Sequence, residues 1–136
     1  MSGLDTMIKF FIMFWMSALA LWAGNIQHDD AYKNALSSMG KTDKLVLMIY
    51  TTDDCPECAY MKKKVFHDPA VEGYLNANFV VIEKNVHRDK LPEGYDYFGI
   101  PTMFFIDKNG VKKETLIGSK RAAEFSKELH RIRGMK

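Results

Sequence analysis

The apolar and polar positions of the chain follow two periods, one typical of buried strands and the other typical of helices. Four segments have the length and composition of strands, and the turn sequence DKNG between the last two predicts a hairpin. These segments are LVLMIYT at 45–51, FVVIEKNV at 79–86, IPTMFFI at 100–106 and VKKETLIG at 111–118. The first is a continuous apolar run, so we expect it to be buried on both faces of a sheet.

Helical spacing of apolar residues lies between and beyond these strands. Four helices are predicted, at residues 30–39, 56–66, 68–76 and 120–133. Pro56 stands in the first turn of the second helix, where proline is favoured because its missing N–H would have no acceptor within the helix. The order strand, helix, strand over residues 45–86 predicts a right-handed crossover between two parallel strands. The pattern as a whole therefore predicts a small mixed α/β sandwich.

The first 23 residues differ in kind from the rest of the chain. Residues 10–23, FFIMFWMSALALWA, carry no charge, and their 14 residues suit a signal-peptide core better than a membrane span, which takes roughly 20. Lys9 supplies a positive flank, and Ala18-Leu19-Ala20 offers a cleavage site between small residues. We therefore expect residues 1–23 to be a signal peptide, or an N-terminal membrane anchor where cleavage does not occur, and the protein to be exported to the periplasm or another extracytoplasmic space.

The remaining residues, 28–136, are expected to form one domain. The chain of 136 residues is 47% apolar and 26% charged, which is a globular composition and not a disordered one. Its net charge of +2 comes from interspersed charges, so a nucleic-acid partner is not expected. The densest positive run, Lys62-Lys63-Lys64, is interpreted as a solvated helix face.

The candidate chemistry lies at the two cysteines, Cys55 and Cys58, directly after the first strand. In open α/β sheets, ligands gather at the carboxyl ends of the strands, and Cys55 lies at such an end. A zinc site is disfavoured because four ligands are wanted and only His67 or His87 could complete the set. A structural disulfide would gain little from closing so short a loop. We therefore favour a redox pair, since two cysteines three positions apart on the first turn of a helix can form a disulfide and open again.

The two cysteines are expected to differ in reactivity. Cys55 lies at a helix N-terminus, where free backbone N–H groups and the positive end of the dipole favour its thiolate. Cys58 lies one turn further along on the apolar side and should be buried. We therefore expect Cys55 to attack a disulfide and Cys58 to resolve the mixed disulfide that forms. Neither a metal nor a cofactor other than this pair is expected.

From residue 30 to residue 133 the sequence resembles the thioredoxin superfamily. The resemblance rests on the strand followed by C-x-x-C and on the sequence GIPT at 99–102. It implies an α/β fold in three layers, with a central mixed sheet of four to five strands flanked by helices. It also implies that Pro101 is a cis-proline facing the disulfide. The substrate chain would then bind at Ile100, Pro101 and Thr102, pairing with the backbone of Ile100.

Within the superfamily, the chain is most similar to the exported C-terminal domain of the transmembrane reductase DsbD and to small periplasmic thioredoxins of the SoxW type. This similarity implies a thiol-disulfide oxidoreductase, and in particular a dithiol reductase of protein disulfides. The implied partners are oxidised client proteins and an upstream thiol reductant, such as a membrane protein of the DsbD type. Membrane contact is expected only through an uncleaved N-terminal segment, and the protein is expected to be a monomer. The alternatives are a redox-inert thioredoxin-like binding module, and a disulfide isomerase or oxidase.

Two departures from the family pattern leave the proton acceptor for Cys58 open. Asp54 stands where the family usually carries tryptophan, and Ile49 stands where many thioredoxins bury an acidic residue. The internal acceptor is therefore missing or replaced, and Glu83 and Glu57 are the candidates nearest in sequence.

Charge around the first cysteine predicts the direction of the reaction. Asp53, Asp54 and Glu57 place three carboxylates beside Cys55, and like charge disfavours its thiolate. A less stable thiolate makes the disulfide harder to reduce, which favours a reductant over a strong oxidant. We therefore expect four residues near the cysteine pair to modulate its reactivity: Asp54, Pro56, Glu57 and Glu83.

Overall fold

The computed structural model of the protein describes residues 30–135. The expected signal peptide or anchor, residues 1–23, lies outside this range. Within residues 30–135, no helix combines the length and the apolar character needed to cross a membrane.

A mixed sheet of four strands organises the described part of the chain. The strands are β1 at Leu45–Thr51, β2 at Phe79–Asn85, β3 at Thr102–Ile106 and β4 at Lys112–Ile117. They lie in the order β2-β1-β3-β4, with β1 parallel to β2 and antiparallel to β3, and with β3 and β4 joined as a hairpin. The parallel crossover and the hairpin predicted from the sequence are confirmed.

The third strand begins later than predicted. It was expected from Ile100, but β3 begins at Thr102, and Ile100 and Pro101 belong to the preceding loop. The physical reason is that proline has no N–H to donate to a strand ladder, so it stands before the first paired residue.

The turn between β3 and β4 follows the prediction from DKNG. The carboxylate of Asp107 accepts hydrogen bonds from the backbone N–H groups of Asn109 and Val111, both at 2.9 Å. Gly110 has a φ of 78°, a left-handed conformation that costs glycine little because it has no Cβ. The turn is therefore closed by its own residues.

Four α-helices within residues 30–135 cover the two faces of the sheet. They are α1 at Asp30–Met39, α2 at Pro56–Tyr60, α3 at Glu72–Asn78 and α4 at Ala122–Arg133. On one face of the sheet, Leu47 and Ile49 of β1 pack with buried residues of α4 such as Phe125. On the other face, Val46 and Met48 of β1 pack with residues of α1 such as Met39. The arrangement of helix, sheet and helix confirms the mixed α/β sandwich predicted from the sequence pattern, in the three layers that the resemblance implied.

The two helices in the crossover differ from their predicted extents. The helix predicted over residues 56–66 is α-helical only to Tyr60 and continues as a wider π-helical turn at Met61–Val65. The helix predicted over residues 68–76 begins at Glu72, because the residues before it form a turn around Asp68. The side chain of Asp68 accepts a hydrogen bond from the backbone N–H of Ala70 at 2.9 Å, so the chain becomes helical only after this turn.

Candidate active site

The cysteine pair lies at the carboxyl end of β1, at the start of α2. Cys55 is the N-cap residue of α2, with an extended backbone at φ −114° and ψ 98°, and Pro56 occupies the first helical turn. The backbone N–H of Cys58 donates a hydrogen bond to Cys55 Sγ at 3.1 Å. The sulfur thus takes the place that a serine or aspartate oxygen usually takes at a helix N-cap, where N–H groups lack partners within the helix.

Cys55 and Cys58 are joined by a disulfide bond and differ in exposure. Their Cα atoms are 5.2 Å apart, which lies in the usual range for a disulfide. Cys55 is partly exposed, whereas Cys58 is 1% exposed. A partner approaching the surface therefore meets Cys55 first, as the sequence predicted from their positions on the helix.

The loop that precedes β3 lies at the same end of the sheet. The peptide bond between Ile100 and Pro101 is cis, and Pro101 is buried. Thr102 is also buried, and its hydroxyl donates a hydrogen bond to the carbonyl of Gly99 at 2.6 Å, which ties the loop to the start of the strand. The backbone N–H of Gly118 donates to the carbonyl of Pro101 at 2.8 Å. The loop is thus fixed from both sides.

Aromatic packing anchors the residues that lead into this loop. Tyr50 lies near the end of β1, and its ring packs edge-on against Tyr97 at 5.6 Å and against Phe104 at 4.9 Å between centroids. Its hydroxyl is buried without a hydrogen-bond partner among the described residues, and burial, aided by the charge of Asp96, raises the pKa of Tyr50 to about 12. Tyr50 therefore contributes packing, and the phenol stays neutral at physiological pH.

Two contacts join the cysteine helix to the segment after β4. The hydroxyl of Ser119 donates a hydrogen bond to the carboxylate of Glu57, and the backbone N–H of Lys120 points to Met61 Sδ at 3.3 Å. Since Gly118 in turn binds Pro101, these contacts connect the disulfide and the cis-proline loop through one short segment. A groove of about 410 Å³ lies along this junction, lined by Glu57, Tyr60, Ser119, Lys120, Arg121 and Glu124.

The carboxylates around Cys55 are less alike than the sequence suggested. Asp53 is paired with Arg88 at 3.1 Å and accepts a hydrogen bond from the side chain of Asn85, also at 3.1 Å. Asp54 is exposed and makes no ion pair among the described residues. Arg88 therefore offsets the charge of Asp53, whereas the charge of Asp54 is not offset by an ion pair within residues 30–135.

Glu83 lies on β2, beside Ile49, the position at which the family resemblance would place a buried acidic residue. In the parallel pairing of β1 and β2 it is in register with Ile49, so its side chain leaves the sheet on the face that carries the cysteine helix. Its carboxylate accepts hydrogen bonds from Thr51 at 2.7 Å and from Lys62 at 2.6 Å. Burial alone would raise the pKa of Glu83, but these two bonds outweigh it and hold the pKa below its usual range.

Several of these partners were not found from the sequence. Arg88, Ser119 and Gly118 are far from the cysteines along the chain, and each is one of many polar or small residues with no distinguishing spacing. Lys62 was interpreted as part of a solvated helix face, but it is half-buried and pairs with Glu83. The one available signal was that Lys62 follows Cys58 by four positions, which puts both on the same side of a helix.

A family model for the thioredoxin-like domain matches residues 32–133. The chain belongs to the thioredoxin-like family. With the Cys55–Cys58 pair at the start of α2, this membership makes the protein a thiol-disulfide oxidoreductase. No curated protein sequence gives a significant match to the chain.

Solved structures of the same fold include proteins of related chemistry. A thioredoxin from Thermus thermophilus is 34% identical, with a TM-score of 0.61, over 74% of this chain and 82% of that one. A proposed disulphide isomerase from Bacteroides thetaiotaomicron is 27% identical, with a TM-score of 0.66, over 77% and 89% of the two chains. The C-terminal domain of DsbD from Neisseria meningitidis, in its reduced form, is 23% identical, with a TM-score of 0.59, over 74% and 93% of the two chains, a similarity of fold.

Proposed function

We propose that this thioredoxin-like protein is an exported dithiol reductase of protein disulfides. The observation that carries the proposal is the difference in exposure between two paired cysteines at the start of one helix. Cys55 is accessible, whereas Cys58 is 1% exposed one turn away. A pair built in this way can exchange with one partner at a time through the outer sulfur.

The reaction follows from this placement. The Cys55 thiolate attacks one sulfur of the client disulfide, which forms a mixed disulfide and releases the other client sulfur as a thiolate. The Cys58 thiolate then attacks Cys55 Sγ, which forms the intramolecular disulfide and releases the second client sulfur. The two electrons that reduce the client come from the protein dithiol, which an upstream thiol reductant restores. The N–H of Cys58 favours the Cys55 thiolate, since it already donates to Sγ in the oxidised state.

The loop before β3 is assigned to client binding. Ile100 is partly exposed and offers its backbone to an incoming chain, whereas Pro101 and Thr102 are buried and shape the loop. Because Thr102 uses its hydroxyl to bind Gly99, its contribution is to hold the loop in place.

Export and the partners remain part of the proposal. Export is inferred from the charge-free run at residues 10–23, which contains a possible cleavage site between small residues at Ala18-Leu19-Ala20. A reductase outside the cytoplasm must receive its electrons from a thiol donor that is exported or lies in the membrane. The family resemblance implies a DsbD-type protein as this donor.

The direction of the reaction is tested by equilibrium with glutathione. Asp54 lies beside Cys55 without a counter-ion among the described residues, and its charge opposes the thiolate that the helix start favours. We expect a reduction potential closer to the thioredoxin value of about −270 mV than to the oxidant value of about −120 mV. Asp54→Asn should raise the potential, because it removes a negative charge beside the Cys55 thiolate and so stabilises the reduced form.

A wild-type potential above about −180 mV, the value of protein disulfide isomerase, would replace reductase by isomerase or oxidase as the function. A disulfide that never opens in glutathione buffers would instead favour a redox-inert binding module.

The lowered pKa of Glu83 predicts that this residue is not the base that deprotonates Cys58. A carboxylate held by Lys62 and Thr51 is ionised but weakly basic, whereas an effective general base has a pKa near the working pH. We expect Glu83→Gln to change the rate of mixed-disulfide resolution by less than about threefold, measured by rapid quenching at pH 7; a general base contributes about 10²–10⁴-fold. Glu72→Gln, which removes a carboxylate paired with His67, is the control. A fall of a hundredfold in Glu83→Gln alone would show that Glu83 is the proton acceptor.

A further inference from the structure

Phe98 is the most exposed large apolar side chain of the described residues. It is 94% exposed, while its neighbour Tyr97 packs against Tyr50. Leaving a whole phenyl ring in water is unfavourable, and such a ring contributes nothing to the core. Its position, three residues before Pro101, therefore points to a role in contact with another molecule.

A second exposed apolar side chain, that of Ile117, lies beside the residue that follows Phe98. A Cβ built on Gly99 would lie 3.4 Å from Ile117 Cγ2, so the backbone that follows Phe98 touches Ile117. Ile117 is the last residue of β4, and it is 52% exposed. Gly118, the next residue, is bonded to the carbonyl of Pro101. We call Phe98 and Ile117 together the apolar edge.

The apolar edge adjoins the loop to which client binding is assigned, because Gly118, next to Ile117, is bonded to Pro101. From Ile117 the chain runs through Gly118 to Ser119, whose hydroxyl binds Glu57 inside the C-x-x-C sequence. A polypeptide that brings its disulfide to Cys55 and its backbone to Ile100 thus passes over residues that adjoin this edge. The occupant of the edge is therefore the client segment that flanks the attacked cysteine.

We propose that the apolar edge selects clients with a large apolar side chain next to the attacked cysteine, by packing that side chain on Phe98. The proposal rests on the proposed function, and it names the chemistry of the substrate. Aromatic side chains at the centre of contact surfaces are frequent hot spots, because they bury a large area and lose few rotamers. The protein would thus prefer unfolded or partly folded clients, in which apolar residues beside cysteines are accessible.

Two peptide disulfides test the proposal. Both are symmetric disulfide-linked dimers of one short peptide, and they differ only in carrying leucine or serine on each side of the cysteine. We expect the wild type to reduce the leucine peptide with a kcat/KM about tenfold higher, and Phe98→Ala to lose most of this preference. Phe98→Leu, which retains an apolar side chain, should recover it. Reduction of hydroxyethyl disulfide, which has no flanking residues, should be unchanged in all variants.

Val111→Ala is the matched control. Val111 is 54% exposed, but it follows the turn at the far end of β3, away from the cysteines. It should keep the preference for leucine. Two results would overturn the proposal and leave the reductase function standing. One is that the wild type reduces the two peptides at equal rates. The other is that Phe98→Ala lowers the reduction rates of both peptides and of hydroxyethyl disulfide by the same factor. A wild type that reduces none of the three disulfides would overturn the proposed function and this proposal with it.

Discussion

Cys58→Ser is expected to accumulate mixed disulfides with its clients, whereas Cys55→Ser is expected to form none and to lose reductase activity. The reason is the burial of Cys58, which is 1% exposed and cannot reach a client disulfide in the folded protein. Cys55 can attack without Cys58, but only Cys58 is placed to break the bond that Cys55 has formed. We expect the loss in both single variants to be complete under multiple-turnover conditions.

The measurement is non-reducing electrophoresis after exposure of each variant to an oxidised protein, followed by mass spectrometry of the linked peptides. The double variant with both cysteines replaced by serine is the control for non-specific association. Mixed disulfides in Cys55→Ser and none in Cys58→Ser would reverse the roles assigned to the two sulfurs.

Phe105→Ala is expected to lower the free energy of unfolding by about 3–5 kcal/mol, which is a large part of the 5–15 kcal/mol typical of a domain. Phe105 is 0% exposed, is the fourth of the five residues of β3, and packs edge-on against Phe79, with 5.7 Å between ring centroids. The truncation would leave a cavity between the sheet and the helices on that face. Because β3 also carries the loop of Pro101 at its start, the loss of core packing should reduce activity at temperatures where the wild type is stable.

Urea unfolding followed by circular dichroism measures this loss. Phe98→Ala removes the same atoms from an exposed position and should stay within about 0.5 kcal/mol of the wild type, as is usual for surface substitutions. A loss of less than about 1 kcal/mol in Phe105→Ala would show that the core does not depend on this side chain.

The strands were predictable because their signal is local. LVLMIYT at 45–51 is apolar up to its final threonine, and β1 occupies the same positions in the structure as Leu45–Thr51. The start of α3 was predicted wrongly, because Asp68 and the proline after it are compatible both with a helix start and with the turn that they form. The choice depends on packing around Val71 and Leu75, which are buried against other elements and cannot be placed from local sequence.

The candidate site was predictable where its residues lie in a short motif. Cys55 and Cys58 share one turn of a helix, and Pro101 stands within GIPT. The charges around them were not predictable, because the partner of Asp53 is Arg88, from the segment that follows β2. The tertiary structure therefore determines which carboxylate near Cys55 has its charge offset by an ion pair.

The hairpin turn at residues 107–110 offers a place to attach the protein to a surface or a reporter group. Asp107 accepts the backbone hydrogen bonds that close the turn, and the hydroxyl of Tyr95 donates one further hydrogen bond to the carbonyl of Gly110 at 3.3 Å. The five residues of β3 separate the turn from Pro101 by roughly 17 Å, at about 3.4 Å a residue. A tag or fluorophore joined at Asn109 would thus point away from the cysteines and leave clients free to reach them.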